Sequence, residues 1–358
     1  MSERENITIN QIAKEANVSI ATVSRVLNGK VPVSLEKRKR VEEIIHKYDF
    51  SPNALARGLI SKETKTIGVI LPDISNPYFA SMFLEIERSA LESGYTLLLC
   101  NTLFAGSSHG IRNTKEEPYY FQMLIDKQVD GVLIIGGQVD LTTVDENYKQ
   151  ALARLAKQLP VVVIGKEIED VDCIFIHPEN GQGVVIALNY LYMLGHRNIA
   201  FVGGQPNITI TEIRLNAYKD ALKALGLPID EQLISLSDYY FNDGYSAMNT
   251  LINNNANFTA FLAINDNVAI GAMRCLYDLS IQVPVDIAVI SCDQFPSGEY
   301  HIPRLTSINQ QHDLLGRIVI NTLLAAIRGN VSPPKFSLTP ELVIRESCGT
   351  NLGIHKLF

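Results

Sequence analysis

Two groups of residues carry chemistry by type and spacing. The first lies within Ser19-Ile-Ala-Thr-Val-Ser-Arg25. A guanidinium such as that of Arg25 can bridge guanine O6 and N7, and small apolar groups such as Ile20 and Ala21 suit a thymine methyl. The hydroxyls of Thr22 and Ser24 suit phosphates. The second group is scattered: Pro72-Asp-Ile-Ser-Asn-Pro-Tyr-Phe79, Arg214, Asp238-Tyr-Tyr-Phe241, Asn265-Asp266 and Asp293. Carboxylates and amides take paired hydroxyls, arginine takes a ring oxygen or a charged group, and aromatic faces stack on an apolar ring. Such a set suits a sugar or a nucleobase.

Catalytic chemistry is poorly represented. No Walker A motif, no complete GxGxxG after a strand and no HExxH occurs. The paired glycines Gly136-Gly137 and Gly203-Gly204 lack a phosphate-binding context, and the seven histidines have no metal-ligand spacing. The expectation is a protein that is not an enzyme, with no cofactor and no metal.

Elements must hold the first group in place. Thr8-Ile-Asn-Gln11 has capping-box spacing, and Ile9, Ile12, Ala13 and Ala16 then share one helical face. Asn17-Val18 makes a tight turn. Ser19 can cap a second helix, with Val23, Val26 and Leu27 turned to the first and Asn28-Gly29 as its stop. Ser34 can cap a third, carrying Val41, Ile44, Ile45 and Tyr48. This predicts a helix-turn-helix whose second helix lies in the major groove. A plain helical bundle fits the same periodicity. Ile20, three residues before Val23, fits a core as well as a groove, and Lys37-Arg38-Lys39-Arg40 fits a solvated face as well as a phosphate clamp.

The segment Phe50-Ser-Pro-Asn-Ala-Leu-Ala-Arg-Gly-Leu59 has helix-start residues in Ser51 and Pro52. Its apolar residues are too few to anchor a helix in isolation. A polar linker follows. From Thr66 onward apolar runs alternate with helical stretches. The predicted strands are Thr66–Leu71, Tyr95–Cys100, Gly131–Ile135, Val161–Gly165, Ile199–Gly203, Ala260–Ile264 and Ile287–Ser291; predicted helices include Ser81–Glu92 and Ile213–Leu225. Continuous apolar strands between helices predict parallel sheets covered on both faces. A body of about 280 residues is generous for one such sheet and predicts two lobes. Ligands of these sheets lie beyond the carboxyl ends of the strands, where the second group of residues stands.

Composition agrees with two unlike parts. The chain has 358 residues, 46% hydrophobic and 19% charged, with a net charge of −7. Residues 1–66 hold 12 Lys and Arg against 8 Asp and Glu; the remainder holds 19 against 30. A basic head on an acidic body predicts that only the head meets a polyanion. No apolar run nears the roughly 20 residues of a membrane span. Five scattered cysteines and a polar start without a signal-peptide core predict reduced thiols and a cytoplasmic protein with no membrane partner.

Ala21-Thr-Val-Ser-Arg-Val-Leu-Asn28, followed by Ser51-Pro-Asn-Ala-Leu-Ala-Arg57, resembles the lactose-repressor/galactose-repressor (LacI/GalR) family of bacterial transcription regulators. The resemblance runs from about Ile7 to Ser347, and Gly195-His-Arg-Asn-Ile-Ala-Phe-Val-Gly203 is a second family-typical stretch. It implies an α/β chain with a three-helix headpiece over residues 1–50, a hinge helix and linker over 51–65, and a body over 66–347. The body would hold two Rossmann-like lobes of periplasmic-binding-protein type, lobe 1 over about 66–177 and 310–338, lobe 2 over about 178–309 and 339–347, before a tail at 348–358.

On DNA, the family pattern adds Thr8, Ser19, Asn28 and Asn53 to Ile20, Ala21, Thr22, Ser24 and Arg25. It implies that hinge helices of two subunits pair in the minor groove, with Leu59 as an intercalating wedge, Ala56 near the groove floor and Arg57 at the backbone. Leu59 reads equally as a linker leucine packed on the body. For the effector it implies Tyr78, Phe79, Arg214, Tyr239, Asn265, Asp266 and Asp293. Two departures stand out. His177-Pro178 replaces the usual Asp-Asn, so His177 lines the cleft with different hydrogen bonding or is structural. The segment Phe104–Tyr119 is longer than usual. The implied function is a sequence-specific repressor, a homodimer on pseudo-palindromic double-stranded operator DNA, controlled by a carbohydrate. A purine, a sugar phosphate or a phosphoprotein are alternative effectors, and a sugar-binding protein without a DNA role is the remaining alternative.

Overall fold

The computed structural model describes residues 7–28, 33–48, 50, 63–103, 117–330 and 337–350, the side chain of Asn28 excepted. The chain forms two compact units, Met1–Thr64 and Lys65–Phe358.

The first unit has three helices: α1 (Ile9–Glu15), α2 (Ile20–Asn28) and α3 (Leu35–Lys47). The Thr8–Gln11 capping box is formed, the Thr8 hydroxyl accepting from the Gln11 amide and the Gln11 side chain from the Thr8 amide. Asn17 takes a left-handed φ of 52° in the tight turn, a conformation Asn tolerates. Ile12, Ala13, Ala16, Val23 and Val41 are buried together, with Val26, Leu27, Ile44 and Ile45 packed on them. Lys47 Nζ pairs with Glu15 Oε1 at 2.6 Å and ties the end of α3 to α1. Ser34 occupies the N-cap of α3, but its side chain makes no capping hydrogen bond, contrary to expectation. Glu36 in the first turn complements the helix dipole there.

The second unit opens with β1 (Thr66–Leu71), α4 (Pro77–Glu92), β2 (Thr96–Asn101), α5 (Glu117–Asp126), β3 (Gly131–Ile135), α6 (Glu146–Ala156), β4 (Val161–Ile164) and β5 (Ile174–Ile176). These strands form a parallel sheet in the order β2-β1-β3-β4-β5. Successive side chains point to opposite faces, and both faces are covered. Ile67, Val69, Leu133 and Ile135 pack with α4, while Ile70, Val132 and Ile134 pack with α5 and α6. This double burial is why the strands read as continuous apolar runs.

A second sheet follows, built from β6 (Ile199–Val202), β7 (Ile234–Ser235), β8 (Ala260–Ala263), β9 (Ala288–Ser291), β10 (Thr306–Asn309) and β11 (Glu341–Val343), in the order β11-β10-β9-β8-β6-β7. All its pairs are parallel except β10 with β11. Its helices are α7 (Gln182–Met193), α8 (Thr209–Ala224), α9 (Phe241–Asn253) and α10 (Asp266–Asp278). The chain passes from the first sheet to α7, and later from β10 to α11 (His312–Ile327), whose Leu315, Val319, Ile320 and Leu323 belong to the first lobe's core. It returns to the second sheet at β11.

Several boundaries differ from expectation. α4 begins at Pro77 and α8 at Thr209, so Arg214 is the sixth residue of its helix, not its start. The short strands β5, β7, β10 and β11 carry too few alternations for periodicity to reveal, and pairing with a neighbour creates them. Cys348 is fully buried and accepts a hydrogen bond from Thr306 Oγ1 at 3.1 Å, so the second lobe's core extends past Ser347. Among the described residues no helix is long and apolar enough to cross a membrane.

Candidate functional site

In the headpiece, the exposed side of α2 carries Ile20, Ala21 and Arg25, while Val23 points into the core. Ile20 is 50% exposed, which removes it from the core. Ser19 Oγ accepts the Thr22 amide at 3.2 Å and lies 2.9 Å from Thr22 Oγ1, so these hydroxyls cap the helix. Ser24 is half-buried. Thr8 is exposed, with its hydroxyl engaged by Gln11. The side chain of Asn28, and Asn53, Ala56, Arg57 and Leu59, lie outside the described residues.

The second unit contains a cavity of about 460 Å³ between its two lobes, at the carboxyl ends of both sheets. Arg214 and Asp293 meet on its second-lobe wall. Arg214 Nη2 donates to Asp293 Oδ1 at 2.7 Å, Nη1 donates to Oδ2 at 3.0 Å, and Nη1 also donates to the Ile264 carbonyl. Both residues are about 95% buried or more. Burial alone would lower the guanidinium pKa; the charge of Asp293 and its hydrogen bonds outweigh this and raise it. Nε of Arg214 and the hydroxyl of Thr209, which also lines the cavity, have no hydrogen-bond partner among the described residues.

Local structure explains the other walls. Asn76 caps α4 by accepting the Tyr78 amide at 3.1 Å, with Pro77 at the first helical position. That start turns Tyr78 and Phe79 into the cavity, their rings edge-to-face at 4.9 Å. Tyr78 also meets His312 edge-on at 4.7 Å, and His312 Nε2 stands 3.8 Å from Asp293 Oδ1 across the lobes. Burial holds His312 below its ordinary pKa. Asn265 caps α10 through the Val268 amide at 2.9 Å and donates to the Tyr239 carbonyl at 3.0 Å. Tyr239 lies 2.6 Å from Thr211 Oγ1. Tyr239 and Tyr240 both line the cavity. His177 sits exposed at the rim, stacked on Phe175.

Seven of the eight expected effector residues therefore surround one cavity. Asp266 does not. It is fully buried, accepting the Phe295 amide at 2.8 Å and the Ser307 hydroxyl at 3.2 Å, and it ties α10 to β10. Its neighbour Asn265 takes the wall position, because consecutive residues at a helix start point in different directions.

Sequence reasoning passed over Asp140, which lines the first-lobe wall. The surrounding protein pushes its carboxyl up to about 7 by desolvation. It follows β3 by five residues, so a search beyond strand ends extended past Gly136-Gly137 would have found it. Gln205 and Thr209 were likewise not singled out. Gly106-Ser-Ser-His-Gly110, with G-x-S-x-G spacing, was overlooked too; it lies outside the described residues. No group of His, Cys, Asp or Glu among the described residues is arranged to hold a metal.

The lobes also touch around the cavity. Tyr240 of the second lobe donates its hydroxyl to Asp73 of the first. Leu141 and Ile208 form an antiparallel bridge, and the Thr142 amide donates to the Asn207 carbonyl at 3.0 Å. These contacts join the two lobes beside the cavity.

Residues 8–53 match the family described as "Bacterial regulatory proteins, lacI family", and residues 188–348 match the "Periplasmic binding protein-like domain". The chain is 33% identical to the ribose operon repressor of Escherichia coli (strain K12), covering 95% of this chain and 99% of that one. It is 34% identical to catabolite control protein A of Priestia megaterium, over 89% and 92% of the two chains. Among solved structures, the Lac repressor dimer bound to operator and the anti-inducer ONPF has the same fold, with a TM-score of 0.83 at 23% identity over 96% and 99% of the chains. The CelR–cellobiose complex gives 0.69 at 28% identity, over 95% and 99%. A regulator from Enterococcus faecium with bound ribose gives 0.67 at 25%, over 79% and 98%.

Proposed function

The chain belongs to the lacI family of bacterial regulatory proteins, and on that premise we propose that it is a repressor whose operator binding is set by a neutral carbohydrate in the interlobe cavity. The observation that carries the ligand class is the charge balance of that cavity. A phosphate or another anion needs a surplus of cation on the wall. Among the described residues the wall carries two cations, Arg214 and Lys166, against three carboxyls, Asp140, Glu212 and Asp293, and Arg214 is already paired with Asp293. A neutral polyhydroxyl ring needs no extra cation. It offers donors to Asp140 and an apolar face to Tyr78, Phe79 and Tyr239. Ribose and cellobiose in two of the similar proteins support the same class.

On DNA, α2 enters the major groove with Arg25, Ile20 and Ala21 at base edges, and two copies of the chain read two half-sites. Leu84 and Leu91 on α4, with Tyr277, Tyr300 and Ile302 on the second lobe, are exposed apolar side chains available for pairing two copies. Asn53, Ala56, Arg57 and Leu59 join the DNA contacts on the family pattern alone.

The test is a thermal-melting scan of the full chain against neutral mono- and disaccharides, sugar phosphates and purines. The chain has no Trp, so melting replaces tryptophan fluorescence. A ligand at 100 times its Kd stabilises by about 2.7 kcal/mol. A neutral sugar should raise the Tm and change operator affinity. A response confined to sugar phosphates or purines would overturn the neutral-carbohydrate reading.

A further inference from the structure

The turn that carries Asp140 is not self-supporting. Gly136 and Gly137 take φ of +73° and +92°, and the Gln138 amide that follows donates to Glu117 Oε1 at 2.9 Å. Glu117 opens α5, yet it is 1% exposed. A Cβ on Gly137 would stand 2.2 Å from Glu117 Oε1, so the carboxyl occupies the space a side chain there would fill. Downstream, the same turn places Asp140 on the cavity wall. The next two residues make the bridge to the other lobe: Leu141 with Ile208, and the Thr142 amide with the Asn207 carbonyl. One buried carboxyl off the cavity wall thus secures a span that carries both a pocket carboxyl and a cross-cleft contact.

We propose that Glu117 is a positioning residue for effector recognition: by accepting the Gln138 amide it fixes Asp140 in the cavity and Leu141-Thr142 against the second lobe. Effector affinity then depends on a residue that touches no ligand. A buried carboxyl usually costs stability unless it is hydrogen-bonded. Here its hydrogen bond goes to a segment that faces both the cavity and the opposite lobe. The inference rests on the cleft being the effector site.

Two full-length variants separate positioning from simple stability. Glu117→Gln keeps an acceptor oxygen for the Gln138 amide, whereas Glu117→Ala removes it. Without ligand, hydrogen exchange of the 138–142 amides should be about tenfold faster or more in Glu117→Ala, the size expected from losing roughly 1.4 kcal/mol. Glu117→Gln should restore the wild-type rate, and the amides of β6 and β8 should not change in either. If Glu117→Ala does not fold, Glu117→Asp, which withdraws the carboxyl by one methylene, must give the same local acceleration. In calorimetry with D-ribose and cellobiose, the Kd of a probe bound by wild type should rise about tenfold in the Ala variant and recover in the Gln variant. Unchanged exchange at 138–142 overturns the proposal whatever the ligand. Faster exchange with an unchanged probe Kd overturns the link to recognition. Wild type binding neither probe counts against the cleft reading instead, and the exchange result still decides whether Glu117 holds the turn.

Discussion

Arg25 and Asp140 illustrate what single residues contribute. Arg25 is exposed on α2, two residues beyond the buried Val23 and so on a different face of the helix. Arg25→Ala should weaken specific operator binding by about 1–3 kcal/mol and relax base preference at one position. A uniform loss across sequences in a binding titration would make it a phosphate contact instead. Asp140 makes a pH argument. Burial lifts its carboxyl to about 7, and a sugar hydroxyl donates to the ionised form. Below pH 7 the site must first lose a proton, so Kd should rise up to about tenfold per pH unit on acidification. Above pH 7 affinity should level off. Asp140→Asn should flatten this profile in calorimetry between pH 5.5 and 8; an unflattened profile would place the titrating group elsewhere. Arg214→Ala is a poor first probe, because it leaves Asp293 buried and uncompensated, a loss of about 3–5 kcal/mol.

Elements decide how the cleft closes. α9 begins at Phe241, immediately after Tyr240, and the loop after β1 carries Asp73. Their hydrogen bond joins the two lobes next to the cavity. A hydrogen bond to a charged group contributes about 1.5–3 kcal/mol. Tyr240→Phe keeps the ring and removes the donor, so it should raise sugar Kd by roughly ten- to a hundredfold and enlarge the sugar-bound radius of gyration in small-angle scattering. An unchanged Kd would mean that the backbone bridge at Leu141 and Ile208 holds the cleft without help. The strands themselves were legible in the sequence wherever both faces are buried, as in β1 and β3. β10 was not, because Thr306-Ser-Ile-Asn309 buries hydroxyls that pair with distant groups such as Cys348 and Asp266.

For the molecule as a whole, coupling between cleft and operator is reciprocal. If a sugar changes operator affinity by some factor, operator DNA must change sugar affinity by the same factor. Calorimetry with and without a saturating operator duplex checks this; unequal factors would require a second sugar site. Stability should depend on pH in a defined direction. Glu117, Asp140 and Asp266 are each raised by burial to about 7. Between the ordinary carboxylate range and pH 7 the folded protein binds more protons than the unfolded chain, so these groups lose stability as pH rises through that window. A ligand-free Tm that climbed from pH 5 to pH 7.5 would show that other titrating groups outweigh the three.

Local rules fixed much of this protein before any tertiary contact was known. Capping residues, helical spacing and apolar runs determine the headpiece helices and most body strands, because each signal resides within a few consecutive residues. The same rules, with the family resemblance, singled out seven residues that surround the cavity. Tertiary structure decided what depends on neighbours distant in sequence. It buried Asp266 among α10, β10 and the Phe295 amide, gave Asn265 the wall, and brought Asp140 into the cavity through a turn held by Glu117, 21 residues earlier. A carboxylate's role depends on whether a donor from another element reaches it, and no spacing within the chain records that distance.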